Sequence, residues 1–249
     1  MIDERIAQRR RQVREQRRQH RLRRTVTLIV LVVLAIAFVV VERSDLVALE
    51  EVEVIGTERL EVDEVIAAAD LPLGTSTLRL RLGDAEARVE ALPLVRDATA
   101  RRLDPLTVQI EVAERVPAVN VSGDGEQVMV DRDGVVTEPG HLDGLPEIVV
   151  AGTPPPPGEA VDALPALANA HRAWRALSGP LRTEVVRYRA DGADELDLEL
   201  ASGVLVHFGR AERVDEKVRA LGAVLEDLDG TPVDSIDVRA PSAPVITPP

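Results

Sequence analysis

Residues 25–41 constrain this chain more than any other stretch, because they contain no charged side chain and only two polar ones, Thr25 and Thr27. As an α-helix the stretch spans about 25 Å, close to the roughly 30 Å of a bilayer's hydrocarbon core. Flanking arginines can extend their side chains to the membrane surface and cover the difference. No face of this helix is polar, which disfavours a place in a soluble core. The stretch therefore predicts a transmembrane helix.

The charges on either side of this span predict its orientation. Residues 1–24 carry ten arginines and a net charge of +7, which leaves −20 for residues 25–249. The positive-inside rule places the basic tail in the cytoplasm and the chain from residue 42 onward outside it. The stretch Ala35–Ala37 resembles a signal-peptide cleavage site, and Arg23-Arg24 loosely resembles a twin-arginine signal. The apolar run continues past Ala37, however, so an uncleaved single-pass anchor is favoured.

Composition narrows the possible kinds of site. An arginine-rich tail can bind nucleic acid, but beside a membrane span it more often fixes orientation, so no nucleic-acid partner is expected. The chain has no cysteine, which excludes disulfides and thiolate sites. Lys217 is the single lysine among 30 basic residues, and this bias with the alanine- and valine-rich composition indicates a GC-rich coding sequence.

The elements predicted after a linker at residues 42–46 follow the order strand, helix, helix, strand, strand, and together they predict a domain at residues 47–116. The third strand is the clearest: Leu106, Val108, Ile110 and Val112 alternate with polar residues, as in a half-buried strand. Asp104-Pro105 before it is a turn. Pro117 interrupts the pattern and another strand follows at once, so no flexible linker is expected before the next domain.

Residues 117–240 predict a second domain that is rich in β-strands. Its strands are separated by the turn sequences SGDG and DRDG and by the proline loop at residues 152–159. Helical patterns occupy residues 164–179 and 212–228, and the last predicted strand is SIDVR, residues 235–239. The proline-rich residues 241–249 are predicted to be a disordered tail. The chain is therefore expected to have an α+β fold.

No motif in the sequence predicts catalysis. The four histidines lack metal-ligand spacing, and there is no phosphate-binding loop and no serine-hydrolase elbow. His207 alternates with Val206 and Phe208, so we expect it on the wetter face of a strand. We therefore predict no catalytic residue, no metal site and no cofactor.

The stretches VEVIGTERLEVDEVIAAADLPLG and ALPLVRDATARRLDPLTVQIEVAERVPAV resemble the POTRA domain of the FtsQ/DivIB family of bacterial cell-division proteins. The shared marks are V-x-G after the first strand, L-P-x-V before the second, a proline-bearing turn, and E-R-x-P-A after the third. The end of the second domain, with a one-lysine helix followed by IDVR, resembles the end of the family's β domain. The resemblance covers nearly the whole chain.

This resemblance implies a divisome scaffold rather than an enzyme. Such a protein is a single-pass type II protein of the plasma membrane, located at the division septum with its C-terminal part outside. It links cytoplasmic and extracytoplasmic division proteins by binding FtsB-like and FtsL-like single-pass partners. The alternative is a membrane-anchored wall-active enzyme, or a secretion or assembly factor with a POTRA domain.

The resemblance also suggests where partners bind. We expect SIDVR to be an edge strand that pairs with a partner segment, which gives the candidate contacts Ser235, Ile236, Asp237, Val238 and Arg239. Arg239 matches a basic family position and would meet a partner carboxylate. The following position, often aromatic in the family, is Ala240 here. Arg96 matches a basic position linked to recruitment through the POTRA domain. Ordinary surface charge is the alternative for both arginines.

Overall fold

A computed structural model describes residues 23–177 and 179–249, so most of the predicted basic tail lies outside the described residues. Helix α1, Arg23–Glu42, contains the predicted span and continues without a break through Ala35–Ala37. Among the described residues it is the one helix long and apolar enough to cross a membrane.

The first domain is a three-stranded sheet covered by two helices. After a 3-10 turn at Asp45–Val47 come β1 (Glu51–Ile55), α2 (Val62–Ala69), α3 (Leu82–Glu90), β2 (Val95–Arg102) and β3 (Thr107–Glu114). The strand order is β1-β3-β2, with β1 parallel and β2 antiparallel to the central β3. Alternate residues of β3 form part of the core, because Val108, Ile110 and Val112 face the two helices and are buried.

The second domain is a nine-stranded sheet with helices packed on its core face. Its elements are β4 (Pro117–Gly123), β5 (Glu126–Asp131), β6 (Val136–Pro139), β7 (Glu147–Val150), a 3-10 turn (Val161–Ala163), α4 (Pro165–Ala176), α5 (Gly179–Glu184), β8 (Val185–Ala190), β9 (Leu196–Leu200), β10 (Leu205–His207), α6 (Val214–Leu228), β11 (Ser235–Asp237) and β12 (Val245–Thr247). The strand order is β12-β11-β10-β9-β8-β7-β4-β5-β6. The predicted α+β fold is confirmed.

The core of the second domain forms where α4 and α6 cover one face of this sheet. Trp174 on α4 is buried there together with Tyr188 and Phe208, and Leu221 contributes from α6. Because aromatic residues are scarce in this chain, valine, leucine and alanine fill most of the remaining core.

The V-x-G and E-R-x-P-A motifs meet where the first domain joins the second. Gly56 has φ +87°, and a Cβ there would lie 2.2 Å from the carbonyl oxygen of Val112, so only glycine fits. The carboxylate of Glu114 accepts backbone N–H bonds from Glu58, Arg59 and Leu60. These contacts hold the β1–α2 loop against the end of β3.

The prediction of a disordered tail at residues 241–249 is wrong for the segment Val245–Thr247. This segment forms β12 and pairs antiparallel with β11, with Ile246 opposite Ile236. The physical reason is that an exposed ladder edge on β11 offers backbone partners that outweigh the local preference of a proline-rich sequence for disorder.

Candidate partner-binding edge

The edge strand β2 of the first domain is closed to strand addition by its own side chains. The outward N–H of Ala100 donates to Oε1 of Glu86 at 2.7 Å, and that of Ala98 donates to Oε1 of Glu90 at 3.3 Å. Both glutamates come from α3, which packs on β2. An incoming strand would have to displace two carboxylates to reach these donors.

The edge strand β6 of the second domain is also covered. The N–H of Val136 donates to the carbonyl of Glu159 at 2.9 Å, and its carbonyl accepts from the N–H of Gly158 at 2.8 Å. The chain after the proline loop thus takes up the outward ladder groups of Val136, where β6 begins.

The edge strand β12 has no such cover among the described residues. Its Val245 and Ile246 are 61% and 39% exposed. Ile246 lies opposite Ile236, which is fully buried, so the apolar face of the sheet continues outward to the edge. The edge strand β1 is uncovered too, but its Val52 and Val54 already pack against the first domain's core. At β12 an added strand would also bury apolar surface.

The expected edge position of residues 235–239 is wrong. β11 pairs parallel with β10 on one side and antiparallel with β12 on the other, so both of its edges are occupied. Ile236 and Val238 have no exposed surface and belong to the core. The open edge is instead β12, the next strand along the chain. The sequence pattern did not predict this strand.

Arg239, predicted to face a partner carboxylate, has an internal partner. Its Nε lies 3.0 Å from each carboxylate oxygen of Asp237, and its backbone N–H donates to Asp237 Oδ1 at 2.9 Å. The guanidinium hydrogen bond, with smaller help from the backbone N–H, lowers the pKa of Asp237 and keeps it ionised. The Arg239 head group is still exposed, in a cleft that also contains Asp194, Asp197 and Gly209, so it can bond a second carboxylate.

The solvent face of the sheet carries a row of charged and polar side chains that ends at this edge. Arg189, Asp197, His207 and Asp237 are paired in register across four strands, and Val245 is next in the row. His207 Nδ1 lies 2.8 Å from Oδ1 of Asp197. His207 is half-buried between the fully buried Val206 and Phe208, as its alternation predicted.

Two buried polar side chains hold the loop behind this row, and sequence reasoning missed both roles. Lys217 of α6 donates to the carbonyls of Phe208 and Arg210 at 2.8 and 2.7 Å. Burial lowers its pKa. Asn169 of α4 accepts from the N–H of Ala211 at 2.6 Å. Lys217 is the single lysine among 30 basic residues, and this was the one sequence signal that could have pointed to its role.

Gly209 lets Arg239 approach this loop closely. It has φ +68°, and a Cβ there would lie 3.1 Å from Cγ of Arg239. The aliphatic part of Arg239 therefore packs on Gly209 while Asp237 orients the guanidinium.

Arg96 lies in the β-bulge where the register between β2 and β3 shifts, between Val95 and Asp97. Its side chain is exposed and forms no hydrogen bond or ion pair within the described residues. A bulge directs a side chain away from the regular pleat, so Arg96 is presented to solvent at the edge of the first domain. The structure does not bring it near Arg239, which lies in the other domain.

Nothing in the described part of the chain resembles a metal centre, since no group of three or more histidine, aspartate or glutamate side chains converges there. A cleft beside Trp174 is lined by Ala118, Leu145, Val185 and Arg182. Arg182 already donates to the carbonyls of Trp174 and Leu177.

Comparison with known proteins gives matches to both domains. Residues 47–115 match the family described as "POTRA domain, FtsQ-type", and residues 118–239 match "Cell division protein FtsQ/DivIB, C-terminal". The cell division protein FtsQ of Streptomyces bingchenggensis is 30% identical over 207 residues, which are 82% of this chain and 77% of that protein.

Two mycobacterial relatives are longer than this chain. The FtsQ of Mycobacteroides abscessus is 28% identical over 81% of this chain and 62% of its own length. That of Mycobacterium leprae is 31% identical over 80% of this chain and 55% of its own length. The chain thus spans less than two thirds of these two proteins.

Among solved structures, the major extracytoplasmic domain of the division protein DivIB from Geobacillus stearothermophilus is matched over 48% of this chain and 98% of that one. The identity is 14% and the TM-score is 0.34. The family assignment rests on the sequence matches alone.

Fold and sequence together define a protein with one candidate membrane-spanning helix, a POTRA domain and a β domain that ends in an open sheet edge. The chain belongs to the FtsQ/DivIB family of cell division proteins, as the sequence motifs predicted.

Proposed function

We propose that this protein is a non-enzymatic divisome scaffold that binds FtsB-like and FtsL-like single-pass proteins by adding a partner strand to β12. The observation that carries the proposal is the uncovered β12 edge, where Val245 and Ile246 are exposed although β2 and β6 are covered. Each backbone hydrogen bond of the added strand contributes about 1 kcal/mol, and burial of Ile246 adds apolar stabilisation.

The five residues Ser235 to Arg239 keep a part in this proposal, although β11 is not the edge. Ser235 and Asp237 lie beside Thr247 and Val245 on the solvent face, so they are one strand behind the partner. Ile236 and Val238 support the edge from the core. Arg239 is the charged contact: the exposed guanidinium bonds a partner carboxylate while Asp237 holds it in place.

We further propose a single-pass type II topology at the division septum, with residues 1–24 in the cytoplasm and the two domains outside. The charge difference across the apolar span supports this orientation. A reporter fused after Pro249 is expected to be active only outside the cytoplasm. Arg96, presented at a bulge, is proposed to act in recruitment through the POTRA domain.

A charge placed on the edge strand tests the binding mode. The full chain in nanodiscs is mixed with a purified FtsB-like partner, and Ile246→Lys is compared with Val186→Lys, which changes another exposed apolar strand residue away from the edge. Ile246→Lys should reduce capture at least tenfold, because a desolvated lysine at the ladder opposes strand pairing. Equal capture by both variants would exclude β12 as the binding strand.

Arg239→Glu tests the charged contact separately. It places two carboxylates side by side, so capture should fall more than with the exposed control Arg210→Glu. If Arg239→Glu binds like the unaltered chain, Arg239 is not a contact, even where the strand-addition mode survives.

A further inference from the structure

The helix α1 is joined to the POTRA domain without a free linker. Glu42 at its end forms an ion pair with Arg79 of the α2–α3 loop. Five residues later the carbonyl of Val47 accepts from the N–H of Thr77 at 2.7 Å, and the N–H of Leu49 donates to the carbonyl of Thr75 at 2.9 Å. One end of the domain is therefore held directly beside the end of the helix.

Three chain segments meet at that end. The N–H of Glu50 donates to the carbonyl of Leu106, at 2.8 Å. The hydroxyl of Thr77 donates to the carbonyl of Pro105, also at 2.8 Å, and Arg102 Nε donates to the carbonyl of Thr77 at 2.7 Å. The segment after α1, the α2–α3 loop and the β2–β3 turn thus form one hydrogen-bonded surface, which we call the membrane-proximal face.

Large apolar side chains are exposed on every segment of this face. Leu46 follows α1, Leu73 and Leu78 lie in the α2–α3 loop, and Leu103 lies in the β2–β3 turn. They are the exposed leucines of residues 43–116 in the described chain, and the helices and sheet of the domain cover none of them. Single exposed leucines scattered over a surface are ordinary. Four at one end of a domain are typical of a surface that contacts a membrane or another protein.

The charge of this face differs from that of the rest of the exported chain. The α2–α3 loop, residues 70–81, contains Arg79 and Arg81 against one acidic residue, Asp70 at the end of α2, although residues 25–249 carry a net charge of −20. Arg43 is exposed on the first segment. Of the acidic residues nearby, Glu42 pairs with Arg79, and Asp84 lies 3.9 Å from Arg81 Nη1 in an exposed pair. Asp104 is occupied by the N–H groups of Leu106 and Thr107, and Asp45 and Glu50 lie in the segment before β1.

We propose that the membrane-proximal face lies in the headgroup layer of the bilayer outside the cytoplasm, with its leucines inserted among the acyl chains and Arg43 and Arg81 bound to anionic phospholipid. Leucines on one surface interleaved with arginines have the composition of interfacial membrane contacts. The occupant follows from continuity: α1 leaves the bilayer at Glu42, and Arg79 on this face contacts that residue. The inference rests on α1 spanning the membrane.

The consequence is a fixed orientation of the domains above the membrane. β1 starts at the membrane-proximal face and ends beside Gly56, where the β domain joins. If the face is seated in the headgroups, the POTRA domain cannot pivot on α1, and the β12 edge is held at a set height and direction for single-pass partners.

Site-specific labels test the proposal in the full chain, which has no natural cysteine. Leu78→Cys and Leu103→Cys are each coupled to an environment-sensitive fluorophore in nanodiscs that contain quencher lipids. Leu142→Cys is the matched control, because its exposure of 49% is close to the 51% of Leu78 and the 53% of Leu103. Leu142 lies at the far end of β1, in a cleft that is also lined by Gly56. Phe38→Cys in α1 reports the span itself.

We expect lipid quenching and a blue shift at positions 78 and 103 and neither at 142. Quenching at 78 and 103 should rise when phosphatidylglycerol is added to phosphatidylcholine and fall with salt. In anionic discs Arg81→Gln should lower the ratio of membrane-bound to free face about fivefold, because one arginine near an anionic surface contributes about that factor to binding. Arg172→Gln in the β domain should leave this ratio unchanged.

Quenching at Phe38 with none at 78 and 103 would overturn the inference and leave the membrane span intact. Absence of quenching at Phe38 would overturn the span and the inference together. Equal quenching at 78, 103 and 142 would also count against it, because contact would then not be confined to this face.

Discussion

Arg115 Nη1 donates to Oδ2 of Asp131 at 2.7 Å across the junction of the two domains. Arg115 is one of only two residues between β3 and β4, and Asp131 ends β5. Asp131 also accepts the N–H groups of Asp133 and Val135 with its other oxygen, so one carboxylate joins the junction to the turn after β5. Arg59 extends this network by bonding the carbonyl of Arg115 and the carboxylate of Glu138.

Arg115→Ala should loosen this junction. Both partners are largely buried, so loss of the cation leaves a partly desolvated carboxylate and should cost about 2–3 kcal/mol. Limited proteolysis of the full chain should show faster cleavage near residues 114–117. Arg210→Ala removes an exposed ion pair with Asp194, so it should change neither the stability nor the rate of cleavage near residues 114–117. Unaltered cleavage in Arg115→Ala would show that the strand connection alone fixes the junction.

Gly56→Ala should destabilise the POTRA domain strongly. The added methyl group would lie 2.2 Å from the carbonyl oxygen of Val112, which requires the backbone to move and should cost about 3 kcal/mol or more. Gly74→Ala is the matched control, because Gly74 has a similar positive φ but no atom near its Cβ position, so about 1 kcal/mol is expected. Thermal unfolding of both variants measures the two losses of stability. Equal losses would mean that the positive φ of Gly56, and not its contact with Val112, requires glycine.

The elements predicted correctly are those whose pattern is local. The alternation of Val108, Ile110 and Val112 is sufficient to define β3, because a half-buried strand needs a period of two. β12 was missed because its three residues lie between Pro244 and Pro248 and become ordered only by pairing with β11. The covering of β2 by Glu86 likewise depends on a contact between residues 14 positions apart. Which sheet edge is open is therefore a tertiary property, and the sequence pattern pointed to the wrong strand.

Stability should fall in acid partly through Glu114. Burial works to raise its pKa, but the N–H groups of Leu60, Glu58 and Arg59 and the charge of Arg59 together lower it below the ordinary value of 4.5. A lowered folded pKa gives stabilisation that is fully present above 4.5 and is lost as the pH falls through the folded value.

Glu114→Gln should therefore lower the melting temperature at pH 7, and the difference from the unaltered chain should shrink as the pH falls below 4.5. Glu126→Gln, at an exposed strand position, should have little effect at either pH. A Glu114→Gln difference that stays constant on acidification would mean that the carboxylate's charge makes no contribution to folding.

Truncation after Ala243 separates two ways in which a partner strand can meet this sheet. The truncation removes β12 and leaves the paired edge of β11 open. If partners add to β12, the truncated chain should lose capture of an FtsB-like protein, because Ile246 and the outer ladder are gone. If partners instead displace β12 and pair with β11, removing the competitor should strengthen capture. Circular dichroism on both chains checks that the β domain stays folded, and capture stronger than that of the full chain would return the binding strand to Ser235–Asp237.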